Sequence, residues 1–295
     1  MRAVFIGSVD FSVDLLKAVL ITKGMEVVGV VTKTSSTFNA DFASLAPLAE
    51  EHGIDCFIYD NKTKDQMGNW VLSKEPDVVF CFGWSHLIGL ELIKNVPQGV
   101  IGYHPAALPM NRGRHPIIWA LVLGLKETAS SFFVIDEGAD TGDIVHQVKL
   151  KISLSDDAGT LYKKLNKIAI SQVKDIARAL VKGKLKKKKQ NHDKASSWRK
   201  RSAIDGKIDW RMNSVSILNL VRGLTRPYLG ASFSHDGREF IVWKAGKSSL
   251  KNKLNWEPGK IASIKNKTIT VKTADGFIEL KEHNFDLPVK EGDYL

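Results

Sequence analysis

Short β-branched or aromatic runs alternate with helix-periodic stretches through the first half of the chain, and that alternation predicts βαβ units around a parallel sheet. Residues 2–6, 27–32, 78–82 and 100–103 read as strands. In residues 11–20, Phe11, Leu15, Leu16, Val19 and Leu20 share one helical face. Residues 132–135 and 144–152 add two strands. From 158 to 181, Leu161, Leu165, Ile168, Val173, Ile176 and Leu180 keep a 3.6-residue period, and Asp156 and Asp157 favour the start of a long helix. After residue 201 the texture changes to one short helix, 217–224, and strands at 231–233, 239–244, 259–264, 268–272 and 277–281. Turns at Asp236-Gly237, Asn266-Lys267 and Asp275-Gly276 separate strands. The fold class expected is α/β: a Rossmann-like, mostly parallel sheet domain over residues 1–181, a basic linker over 182–201, and a smaller C-terminal β-barrel domain over 202–295.

Composition narrows the classes. A chain of 295 residues with 43% hydrophobic content is long enough for one large domain and a smaller one. The opening run Ala3-Val4-Phe5-Ile6 is broken by Gly7, Ser8 and Asp10, and no run approaches a membrane span, so a cytoplasmic protein without a membrane partner is expected. Cys56 and Cys81 lie in or beside apolar runs and are expected to be buried and reduced. With no His-Glu-x-x-His and no Cys-x-x-Cys, no metal is expected. Residues 182–201 hold ten basic residues and one acid, Asp193, and so carry nine of the eleven net positive charges. That stretch reads as a solvated linker extended by its own repulsion, with a polyanion-binding strip as the other reading. The turn Gly7-Ser8-Val9-Asp10 lacks Gly-x-Gly-x-x-Gly and no Walker loop occurs, so NAD and ATP lose their main support.

Chemistry concentrates in two segments, Gly102 to Arg114 and Asp136 to Asp143. His104 follows a strand-like run, while Asp140 sits in a glycine-bracketed loop after another, and strand ends of open α/β sheets display reacting groups. Taken alone, His104 reads more readily as a core histidine and Asp140 as a helix- or turn-capping carboxylate. Together they make a candidate general base with its carboxylate partner.

The separated motifs resemble, in order, those of the 10-formyltetrahydrofolate-dependent formyltransferases, which include methionyl-tRNA, glycinamide ribonucleotide and nucleotide-linked amino-sugar enzymes. The resemblance rests on Val4-Phe5-Ile6-Gly7 with Asp10-Phe11, on His104-Pro105 through Leu108-Pro109 with Arg112-Gly113, and on Asp136 through Gly142. Asp205 to Trp210 and Leu224 to Ala231 resemble the smaller C-terminal domain of the transfer-RNA and sugar enzymes. The resemblance implies 10-formyltetrahydrofolate as co-substrate, His104 as proton relay and Asp140 as support for its imidazole. It implies a folate pocket walled by Phe82, Gly83, Trp84, Leu87 and Ile88 and by Asp136, Gly138 and Asp140. On the acceptor side it implies Ser8, Phe11, Pro109, Arg112, Gly113 and Arg114, with the two arginines facing an anionic acceptor.

One position departs from the family. Where asparagine usually stands two residues before the histidine and helps hold the oxyanion, this chain has Gly102. Glycine has no side chain to donate, and Asn111 is the nearest replacement in sequence, reading equally as a turn residue. Arg112-Gly113-Arg114-His115-Pro116 is similar to the sugar enzymes, and Thr128-Ala129-Ser130-Ser131 stands where the transfer-RNA enzymes carry a Thr-Gly-Val-Thr-like run. The expected acceptor is an amino sugar, nucleotide-linked, with a nucleic-acid partner disfavoured and a homodimer left open. Two alternatives remain: a methionyl-tRNA formyltransferase served by the basic stretch, and a non-catalytic folate- or sugar-nucleotide-binding relative, because of Gly102.

Overall fold

The structure is a computed structural model, and it describes residues 1–35 and 41–295. In chain order its elements are β1 Arg2–Ile6, α1 Asp10–Leu20, β2 Glu26–Thr32, α2 Ala46–Glu51, β3 Cys56–Ile58, α3 Met67–Ser73, β4 Val78–Cys81, α4 Leu90–Asn95 and β5 Val100–His104. There follow β6 Arg112–Gly113, α5 Pro116–Val122, β7 Glu127–Val134, β8 Ile144–Lys151, α6 Ala158–Val181 and β9 Ser197–Trp198. The last elements are α7 Ser214–Leu224, β10 Ala231–His235, β11 Arg238–Lys247, β12 Ile261–Lys265, β13 Thr268–Lys272 and β14 Phe277–His283.

The first sheet has the order β3-β2-β1-β4-β5-β7-β8. β1 to β5 run parallel, and β7 returns antiparallel to β5, setting Ser131 opposite His104 and Phe133 opposite Gly102. β1 and β4 read as unbroken apolar runs because both of their faces are covered. One layer stacks Phe5, Phe80, Phe82 and Phe132 with ring centroids 5.2–6.3 Å apart. The other packs Val4, Ile6, Val79 and Val100 against Met67 and Val71 at α3 and Leu92 on α4. Each such burial is worth about 1.5–3 kcal/mol. Cys81 lies in this layer, and burial pushes its thiol up to about 12. Cys56 differs from expectation: it is exposed at the start of β3, an edge strand of the sheet. Among the described residues no helix is long and apolar enough to cross a membrane.

The chain divides into two compact units that interleave in sequence. The first comprises Met1–Gly113, Thr128–Leu150 and Lys164–Trp198; the second comprises Arg114–Glu127, Lys151–Lys163 and Arg199–Leu295. In the second unit the strands pair antiparallel in the order β10-β11-β14-β13-β12. Its core joins Ile118 of α5 and Ile217, Leu220 and Val221 of α7 to Trp210, Phe233, Phe240 and Val271.

Residues 182–198 are no free linker. Lys188 exchanges two backbone hydrogen bonds of 2.8 Å with Ile144, and β9 pairs in parallel with β6. Lys182, Lys184 and Lys186 to Lys189 do project into solvent. Their like charges repel through water, while the backbone they decorate finds partners on the first unit, so charge density here does not mean a detached segment.

Candidate active site

The chain leaves β5 at His104, turns through Asn111 in a left-handed conformation (φ 64°), and returns to pairing at Arg112. This turn wraps the imidazole. His104 is 4% exposed, and its Nε2 lies 2.7 Å from the Asn111 carbonyl oxygen, which only an N–H can satisfy. Nδ1 then faces the other way, 3.5 Å from Asp140 Oδ2. The same carboxylate oxygen accepts the Gly113 N–H at 2.8 Å. The structure therefore brings together His104 and Asp140, which stand 36 residues apart, and adds Gly113 and the Asn111 carbonyl as their supports.

Asp140 itself is left-handed, with φ 58°, a conformation that costs a non-glycine residue on the order of 1–2 kcal/mol. Its loop is cross-braced. Asp136 Oδ1 accepts the Gly138 N–H and the Thr141 hydroxyl, while Gln190 donates to the carbonyls of Asp140 at 2.9 Å and Gly142 at 2.7 Å. A cleft of about 490 Å³ opens beside this loop, lined in part by Asp136, Thr141, Lys187, Gln190 and His192.

Several residues stand elsewhere than the sequence suggests. Arg112 does not face an open acceptor site: it is 7% exposed, and it donates through Nε and Nη2 to Gln190 Oε1 at 3.3 and 2.8 Å. Arg114 is exposed and Pro109 half-buried. The Asn111 amide turns to Ser196, whose hydroxyl meets Asn111 Oδ1 at 3.4 Å, so it is the backbone carbonyl of Asn111 that reaches His104. Phe82 is wholly core: its ring is fully buried against those of Phe5, Phe80 and Phe132. Ser8 is fully buried beside the Gly83 carbonyl, and Phe11 stacks on Tyr103 with centroids 4.4 Å apart; both pack the interior and leave no surface for an acceptor.

Gly102 is extended and sits mid-strand, so no special backbone angle requires glycine there. Space does. A Cβ on Gly102 would stand 2.9 Å from Ile135 Cγ1 and 3.1 Å from Phe133 Cζ, so the volume next to residue 102 is held by apolar side chains.

The loop after β4 is split in role. Leu87 is exposed and Ile88 half-buried. The half-buried Trp84 packs edge-on to Tyr59, with centroids 4.9 Å apart, under the ammonium of Lys33, which stands 5.1 Å from the ring centroid. Its indole N–H is buried and has no acceptor among the described residues, which is uncommon for a buried polar group. Sequence reasoning missed Gln190, Ile135, Tyr59 and Lys33. Gln190 was hidden by its lysine neighbours; the other three carry no motif, although Lys33 directly follows β2, where ligands collect in open sheets.

Comparison with known proteins gives this geometry its context. The family model described as formyl transferase matches residues 1–175, and that described as formyl transferase, C-terminal domain, matches residues 200–287. A methionyl-tRNA formyltransferase of Caldanaerobacter subterraneus subsp. tengcongensis is 29% identical over 287 residues, spanning 96% of this chain and 91% of its own. Among solved structures, WlaRD, a sugar 3N-formyl transferase crystallised with dTDP and 5-N-formyl-THF, superposes with a TM-score of 0.72 at 18% identity, over 97% of this chain and 99% of that one. The N-formyltransferase of Helicobacter canadensis, solved with folinic acid and dTDP-3-aminofucose, superposes with a TM-score of 0.70 at 18% identity, over 95% and 99%. At these identities the structures speak for the fold, and the matched models for descent: the chain belongs to the formyl transferase family, whose members are enzymes that transfer formyl groups.

Proposed function

We propose that this protein moves a formyl group from 10-formyltetrahydrofolate to the amine of an amino sugar, nucleotide-linked, with His104 and Asp140 as the catalytic pair. The observation that carries the reading is the division of the imidazole's two nitrogens. Nε2–H is committed to the Asn111 carbonyl, which leaves the Nδ1 lone pair beside Asp140 Oδ2. When the acceptor nitrogen bonds to the formyl carbon it must shed a proton, and Nδ1 takes it. The imidazolium so formed pairs with Asp140, itself held by the Gly113 N–H. Nδ1–H then returns the proton to the folate nitrogen as its bond to the formyl carbon breaks. The buried indole N–H of Trp84, without an acceptor among the described residues, supports the folate assignment for the loop after β4. The exposed Arg114 is the arginine we assign to an anionic acceptor.

The sugar acceptor draws support from two neighbours of the same architecture whose descriptions name sugar substrates. A second reading, transfer to methionyl-tRNA, is favoured by the relative at 29% identity and by the exposed lysines at 184 and 186–189, which suit phosphates. The experiment offers 10-formyltetrahydrofolate with a panel of free and nucleotide-linked amino sugars and with charged initiator transfer RNA, and reads a one-formyl mass gain by mass spectrometry. Formylation of an amino sugar is the expected result. Turnover on transfer RNA alone gives the second reading, and binding of folate without turnover on any amine removes the catalytic proposal.

A further inference from the structure

The segment after α6 holds one buried side chain among solvent-facing lysines. Gln190 is 6% exposed, and its amide uses every position it has. Oε1 accepts Arg112 Nη2 at 2.8 Å and Arg112 Nε at 3.3 Å; the two hydrogens of Nε2 go to the carbonyls of Asp140 at 2.9 Å and Gly142 at 2.7 Å. Turning the amide over would set two hydrogens against the guanidinium and an oxygen against two carbonyls, so only one orientation fits.

These bonds close a ring. Asp140 Oδ2 accepts the Gly113 N–H; Gly113 follows Arg112; Arg112 holds Gln190; and Gln190 holds the backbone of Asp140. Asp140 is gripped at its carboxylate and at its carbonyl at once. A left-handed aspartate has its own reason to relax, and relaxing by rotation would swing the carboxylate away from His104 Nδ1. Arg112 has only neutral partners in the described residues, Gln190 and, through Nη2 at 3.3 Å, His192 Nδ1. A guanidinium so enclosed is strongly tied to the one good acceptor it has, which makes the ring stiff.

We infer that Gln190 is a positioning residue: it acts through Asp140, fixing the carboxylate at the distance from His104 that formyl transfer uses. The inference rests on the proposed role of Asp140, and the test separates the two. Gln190→Met and Gln190→Asn are compared with Asp140→Asn and with each combination. Backbone amide exchange in the free protein is read at Gly113, whose N–H has Asp140 as its acceptor, and at Ile101 and Tyr103 in β5. Turnover is read with the acceptor that the amine panel identifies.

Loss of Gln190 should speed exchange at Gly113 by about tenfold while β5 amides keep their protection, and should lower kcat on the order of 10- to 100-fold with KM within about twofold. Added to Asp140→Asn, it should cost no further kcat. Unchanged exchange at Gly113, a kcat cost that multiplies with that of Asp140→Asn, or equal loss of protection throughout the first unit would each overturn the inference. Failure of both Gln190 variants to fold would do so too, since Gln190 would then determine the fold rather than the site. Full kcat in Asp140→Asn alone would instead remove the proposed catalytic pair, whatever Gly113 exchange shows.

Discussion

His104 meets its two partners through opposite ring nitrogens, and this makes its substitutions readable. His104→Ala removes the proton acceptor and should lower kcat by about 10²- to 10⁴-fold. Asp140→Asn keeps the volume, and its amide still offers an oxygen to the Gly113 N–H, but the negative charge beside Nδ1 is gone. It should lower kcat by at least about tenfold, with little change in melting temperature, because the imidazolium then lacks its counter-ion. Steady-state kinetics beside thermal melting checks both; a folded His104→Ala with near-normal kcat/KM would refute the relay. Gly102 offers the complementary gain. Asparagine in place of Gly102 alone should cost stability, since its Cβ meets Ile135 and Phe133. Ile135→Ala removes the tightest of these contacts and leaves Phe133 Cζ at 3.1 Å to shift by a few tenths of an ångström; if the oxyanion lacks a side-chain donor, the double variant should turn over faster than Ile135→Ala alone, by up to about 10²-fold. No gain in a folded double variant means that another donor already serves.

Elements differ in how much of themselves they show in sequence. α6 is legible end to end because 24 residues sustain one period, and the strand–helix alternation of the first half gives the sheet because β1 and β4 must be apolar on both faces. The strap of residues 184–198 is not legible: its backbone, rather than its side chains, does the pairing, and a backbone leaves no pattern in the residues. Phe82 and Trp84 show the same limit at shorter range, two residues apart in one motif, with one ring in the core and one at a strand end. Arg112 and Arg114 likewise read alike and part company, one buried, one exposed. The turn into α5 supplies a pH test. Burial, followed by the charges of Arg114, Arg201 and Lys200, holds the His115 imidazole below its ordinary value, and Arg201 N–H donates to its Nδ1 at 3.2 Å. A histidine depressed in the folded state takes up its proton more readily when unfolded, so its contribution is present above pH 6.5 and is lost as pH falls toward the folded value. Melting temperature should therefore drop between pH 7.5 and 5.5 by less in His115→Gln than in the native protein; an equal drop in both would remove His115 as a cause.

At the scale of the whole molecule, cores are assembled from chain segments that sequence texture would separate. A boundary drawn where the composition changes, near residue 201, leaves Arg114–Glu127 with the first half, yet that segment belongs to the second compact unit. Ile118 on α5 is 7% exposed and sits in one apolar cluster with Ile217, Leu220, Val221 and Leu224 of α7. The helices approach so closely that a Cβ on Gly223 would stand 3.0 Å from Val122 Cγ2 and 3.3 Å from Leu121 Cβ. A fragment of residues 199–295 keeps all five strands and α7 but loses this cover. Each uncovered α5 contact of the size of Ile118 or Leu121 forfeits about 1.5–3 kcal/mol, and a domain has only about 5–15 kcal/mol in all. The fragment should accordingly retain strand signal by far-ultraviolet circular dichroism while melting without a cooperative transition and binding a hydrophobic dye. A synthetic peptide of residues 114–127 added in trans should reduce dye binding, because it restores the missing face; a fragment that melts cooperatively near the temperature of the full chain, indifferent to the peptide, would show that α5 is dispensable to this core.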